Sequence, residues 1–178
     1  PIADLLIPQR ATLFGWSILL PCLYLLYRLA FEEETRYSIY LGVLAGGLPL
    51  LHAHSFMALG MISACAVVHQ LWVSPKLKSV LRYLPYLGIA LLFSLPQLIC
   101  FTFAQVGNSH FLHFGFNCIN KEDPYFWFYI KNIGLVFVLL PFALLSEKRL
   151  RGFWFCALPL WVICEFIIFQ PNDYDNNK

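Results

Sequence analysis

Apolar side chains in this sequence come in long unbroken runs, neither striped as on a soluble helix nor alternating as on a strand. A run of about 20 such residues is what a helix needs to cross a hydrocarbon core of about 30 Å at about 1.5 Å per residue. Runs of that kind predict spanning helices over Ala11 to Leu29, Leu84 to Phe103, Phe126 to Leu145 and Phe153 to Phe169. The stretch Ile39 to Val73 is too long for one span, and Gly46, Gly47 and Pro49 interrupt it. Glycine and proline release a helix from its own hydrogen-bond ladder. The segment therefore reads as a broken helical hairpin, whose first half, Ile39 to Leu51, would reach only about 20 Å. The expected fold class is all-α: a polytopic helical membrane bundle with about four full spans plus this hairpin.

Charge decides how the hairpin sits. With both its ends on one face, Arg28, Arg36, Lys76, Lys78, Arg82, Lys148, Arg149 and Arg151 share that face, against Arg10, Lys121, Lys131 and Lys178 on or near the other. That asymmetry is what the positive-inside rule demands, with the richer face cytoplasmic. A single crossing would move Lys76, Lys78 and Arg82 across and erase it. The hairpin turn "PLLHAHS" then points to the non-cytoplasmic side, with "PQR" before the first span, the loop from Gln105 to Tyr125 and the tail "QPNDYDNNK".

Composition agrees. Of 178 residues, 60% are hydrophobic and 12% charged, where a soluble domain carries about 25% charged. A net charge of +2, with its cations in short runs between apolar stretches, excludes a nucleic-acid surface. The six cysteines form no C-x-x-C pair, which argues against a zinc site or a disulfide framework. The chain opens on proline and stops on "NDYDNNK", so residues 1–178 read as part of one transmembrane domain cut from a longer polypeptide at both ends.

The candidate chemistry lies on the non-cytoplasmic side. His52 and His54 flank one alanine, so in an extended stretch both point one way, whereas on a helix they diverge by about 200°. They can bind an anion or relay protons; with no third donor at a fixed short spacing, a metal site has little support. Their plainer role is to cap backbone groups freed at the break. Ser55 fits that role as an N-cap, and the helix it would start aims its positive end at an anion. Arg10 is a fork-shaped phosphate partner or a snorkelling anchor. Lys131, with Asn132 beside it, lies about one and a half turns into its span, which requires water, an anionic ligand or a carboxylate such as Glu165. His110 and His113 read as loop surface. Asp173 and Asp175 are a weak pair for a cation or sugar hydroxyls.

The stretches "IPQRATLFGWSILL", "LAGGLPLLHAHSFMALG", "SLPQLICF", "FWFYIKNIGLVFVLLPFALL" and "FQPNDYDNNK" together resemble, in order, the later half of uncharacterised polytopic proteins related to the GT-C glycosyltransferases. The resemblance implies a sugar donor linked to polyprenyl phosphate, a site on the non-cytoplasmic face, and a location in the endoplasmic reticulum or plasma membrane. It implies Arg10 and Lys131 as phosphate partners, with His52 and His54 lining the cavity and Asp175, Asn176 and Lys178 entering from the tail. The family's catalytic carboxylate is expected in a first outer loop outside this sequence, and Asp4 matches no such motif. No resident cofactor is implied beyond an optional divalent cation. Membrane lipid and the lipid-linked donor are the expected partners. A polytopic transporter or proton-coupled carrier with histidines at the midplane, and a scaffold without chemistry, remain as alternatives.

Overall fold

The computed structural model describes residues 10–102, 112–116 and 123–169. Its elements are α1 (Arg10–Phe31), α2 (Tyr37–Leu51), α3 (Ala53–Val73), a short α4 (Leu77–Leu81), α5 (Leu84–Gln97) running into a π-helical turn (Leu98–Thr102), α6 (Tyr125–Ile133), α7 (Leu135–Ser146) and α8 (Lys148–Phe166). Strands β1 (Leu112–Phe114) and β2 (Ile167–Phe169) pair antiparallel, a small addition to an otherwise helical chain. Three helical segments are long and apolar enough to cross a membrane: Thr12–Phe31, Ala53–Val73 and Leu77–Phe101. They mark a membrane protein, and large apolar side chains such as Leu20, Val68 and Leu92 stand exposed along them.

Contacts between helices set the directions. A Cβ on Gly15 would meet His52 at 2.4 Å, so α2 ends beside the start of α1. The rings of Phe31 and His69 lie 5.5 Å apart, so α3 ends beside the end of α1. The Gln70 amide donates to the Ala30 carbonyl at the same level. α2 and α3 therefore form a hairpin with both open ends at the C-terminal end of α1. That end carries Arg28, Arg36, Lys76, Lys78 and Arg82. α8 starts there too, because a Cβ on Gly152 would lie 2.8 Å from the Phe31 ring, and it runs antiparallel to α1. Cys22, Leu26, Leu29, Leu41, Leu48, Leu59 and Cys156 are buried where these helices meet.

The hairpin is broken elsewhere than the glycines suggest. α2 continues through Gly46, Gly47 and Pro49, and the chain leaves helical geometry only at His52, with φ −160° and ψ 93°. Gly46 instead serves packing. α2 and α5 run parallel in close contact, and a Cβ at Gly46 would lie 2.6 Å from Phe93 Cβ, one at Gly42 2.8 Å from Ile89 Cβ. Gly42 and Gly46 form the small-xxx-small spacing that lets membrane helices approach. Pro49 perturbs the ladder nearby, and Gln97 of α5 mends it. The Leu50 N–H donates to Gln97 Oε1 at 3.2 Å, while Gln97 Nε2 donates to the Gly46 carbonyl at 3.0 Å. Those are the two groups of one helical rung. The second arm is also longer than a tip that stays within one leaflet, since α3 alone has 21 residues and the length of a span.

The expected span Phe126 to Leu145 is two helices, α6 and α7, bent by 98°. Gly134 makes the corner at φ 72°, a left-handed conformation closed to most side chains. Tyr129 stacks on Phe137 across the bend, ring centres 5.5 Å apart. The last expected span is also shifted, because α8 runs from Lys148 to Phe166 and residues 167–169 join the strand pair.

Candidate functional site

At the end of the bundle opposite the basic loops, His52 occupies the break between α2 and α3. Extended backbone there turns its side chain onto the first turn of α3, whose leading N–H groups have no carbonyl one turn earlier to accept them. His52 Nδ1 accepts from the Ser55 N–H at 3.3 Å and lies 2.8 Å from Ser55 Oγ. The imidazole is thus the N-cap, and Ser55, expected in that place, is buried three residues on as its partner. With Nδ1 accepting, the neutral ring carries its proton on Nε2, which is left to donate outward. The His54 ring lies 5.5 Å from that of His52, tilted by 42°, and is exposed. One residue of extended backbone ahead of the helix has brought the two rings together, where a continuous helix would have splayed them.

These groups form the polar corner of a cavity of about 260 Å³. Trp16 and Leu19 of α1, Met57, Ala58 and Met61 of α3, and Leu160, Ile163 and Cys164 of α8 supply its walls. Gly15 makes the corner possible by letting α1 pass against the His52 side chain. The cavity is therefore an apolar slot between three helices, closed at one end by two imidazoles and the positive end of α3.

The other expected site residues fall as follows. Arg10 begins α1, placing its backbone at the same end as His52 and His54. Lys131 has a partner of its own: its ammonium lies 2.9 Å from Asp123, just before α6, and its side chain is half exposed. Glu165, expected to pair with it, accepts instead from Trp161 Nε1 at 3.2 Å and bonds the Tyr125 hydroxyl. Asn132 donates back to the Phe128 carbonyl of its own helix at 2.8 Å. Neither Lys131 nor Asn132 lines the histidine cavity. Asp175, with Asp4, His110, Cys118, Asp173, Asn176 and Lys178, lies outside the described residues. His113 is in β1.

Sequence reasoning passed over Gly15 and Gln97, the first shaping the histidine corner and the second completing the helix that leads to it. Their signals were a lone glycine in an apolar run and a lone amide after Leu95 and Pro96. Among the described residues, no group of three or more His, Cys, Asp or Glu side chains is placed to hold a metal ion. Comparison with protein-family models, with characterised proteins and with solved structures gave no match to this chain.

Proposed function

We propose that this chain is part of a multi-pass integral membrane protein that holds a polyprenyl-phosphate-linked sugar at the histidine end, as a glycosyltransferase of the GT-C kind, in the endoplasmic reticulum or plasma membrane. The observation that carries this reading is the slot itself, with apolar walls fit for a prenyl chain and two imidazoles at its polar end fit for the phosphate. His52 Nε2–H donates to a phosphate oxygen, the exposed His54 supplies a second donor, and the start of α3 adds its dipole. Arg10, at the start of α1, adds a cation at the same end of the bundle. Lys131, engaged by Asp123, has no part in it. The catalytic acid comes from sequence outside this chain, and the residues here supply binding and charge stabilisation of the departing phosphate.

Titrating the purified chain with polyprenyl phosphate, read by Trp fluorescence, tests the reading, because Trp16 lines the slot. His52→Asn keeps an acceptor for the Ser55 N–H but removes the outward donor. His54→Ala removes a ring that the cap does not use. Each is expected to weaken binding by roughly tenfold or more, the loss of one charge-assisted hydrogen bond, while unphosphorylated polyprenol binds all forms alike. Wild-type affinity in both variants would overturn the assignment. The adjacent rings also suit a proton-coupled carrier, and proton uptake by proteoliposomes holding the full-length protein would favour that reading instead.

A further inference from the structure

The opposite end of the bundle holds a second cavity, of about 550 Å³, between the α1–α2 loop and the segment from α3 to α5. Glu33, Thr35, Ser74, Lys76, Lys78, Ser79, Leu81 and Arg82 line it. Its charges are not balanced. The nearly buried Arg82 guanidinium donates to Glu33 Oε1 at 3.0 Å and to the Leu29 carbonyl at 3.4 Å, so the acid and the arginine neutralise each other. Glu33 reaches that position from a backbone φ of 58°, a strained conformation for a residue with a side chain, so the loop is shaped around this pair. Lys76 and Lys78 then stand exposed beside the hydroxyls of Ser74, Ser79 and Thr35, and among the described residues neither is in an ion pair. Leu81 adds an apolar side chain to the wall, and Trp72, Val73 and Leu77, next to the two lysines in sequence, are exposed.

We propose that this cavity binds the phosphate of an anionic phospholipid, the headgroup between Lys76 and Lys78 and the acyl chains against Leu77, Leu81 and Trp72. Two unpaired ammonium groups with hydroxyl donors suit a phosphodiester, and Leu81 in the wall with the exposed Leu77 and Trp72 on the adjoining segments favours a lipid over a free anion. Basic pockets at the ends of membrane helices bind lipid headgroups in this way. The site is separate from the histidine slot and does not depend on what that slot binds.

The test uses the full chain in nanodiscs of phosphatidylcholine with increasing phosphatidylglycerol, with bound lipid counted by native mass spectrometry. The wild type is expected to retain phosphatidylglycerol preferentially. Lys76→Gln with Lys78→Gln should lower that preference by roughly tenfold to thirtyfold, two lysines' worth of attraction to an anionic headgroup. Lys148→Gln with Arg151→Gln removes two cations from the same end but outside the cavity, and should leave it intact. Equal losses in the two double variants, or none in either, would overturn the proposal. Tight binding of inorganic phosphate by the lipid-free protein, with no preference between the two lipids, would overturn the lipid assignment.

Discussion

Gly46 and Gly47 are neighbours in one helix, yet alanine at the two positions should act with opposite sign. Each substitution removes a glycine from a helix interior, worth up to about 1 kcal/mol of stabilisation. At Gly47 a Cβ meets nothing within 4 Å, so that gain stands alone. At Gly46 the new Cβ would lie 2.6 Å from Phe93 Cβ, an atom fixed to the α5 backbone that no rotamer change can withdraw. Carbon atoms rest about 3.5–4.0 Å apart, so α2 and α5 must separate by roughly 1 Å. Overpacking of this kind costs about 1–3 kcal/mol, and the separation also stretches the bonds from Gln97 to Leu50 and Gly46. The two variants should differ by about 1–3 kcal/mol, or roughly 2–12 °C in Tm for a chain of this length. Thermal unfolding followed by far-ultraviolet circular dichroism in one detergent, with both variants beside the wild type, measures the difference. If Tm moves equally for the two, the parallel contact of α2 with α5 is wrong, and with it the account of the hairpin.

Further outcomes follow from other positions. Gln97→Leu should destabilise by about 1–2 kcal/mol, at roughly 0.6 kcal/mol per hydrogen bond within a membrane, and should speed hydrogen exchange at the Leu50 amide; unchanged exchange would show that the rung closes without Gln97. Gly134→Ala should cost about 1–3 kcal/mol from its backbone conformation alone, since no atom lies within 4 Å of the added Cβ; calorimetry of the variant reads this, and a neutral result would mean the corner adopts another φ. Burial pushes the Glu34 carboxyl upward, but hydrogen bonds from Arg28 and Arg36 more than reverse this, holding it below the usual carboxylate range. With the folded pKa lowered, its contribution is complete above the unfolded value of about 4.3 and fades as pH falls through the folded one. Wild-type Tm should therefore fall more steeply than that of Glu34→Gln below about pH 4.3, and parallel curves would contradict the pairing.

The hairpin was legible in the sequence because cations resist translocation, and Arg28, Arg36, Lys76, Lys78 and Arg82 fit one face only when residues 39–73 turn back. The site of the break was not legible, because it depends on α5. Gly46 lies against Phe93, and Gln97 satisfies the helix around Pro49, so the helix survives where local rules end it. The Gly42 and Gly46 spacing was readable but was eclipsed by the Gly46–Gly47–Pro49 cluster. The partner of Lys131 was also within reach, since Asp123 and Pro124 stand where α6 starts. Glu165 is one option beside water or an anionic ligand only for a straight span, and the bend at Gly134 removes that premise. The spacing of His52 and His54 left two arrangements open, and both their approach and the role of His52 as the cap depend on the dihedral angles of His52.

Gln97 has a consequence for how the protein is made. It lies 47 residues beyond Leu50, so α2 and all of α3 are synthesised before the amide that completes their junction exists. Until α5 arrives, the Gly46 carbonyl and the Leu50 N–H depend on water or the insertion machinery. The histidine corner is thus finished late, by a helix that supplies none of the slot's walls, and a chain truncated before Gln97 would hold the hairpin with its tip frayed.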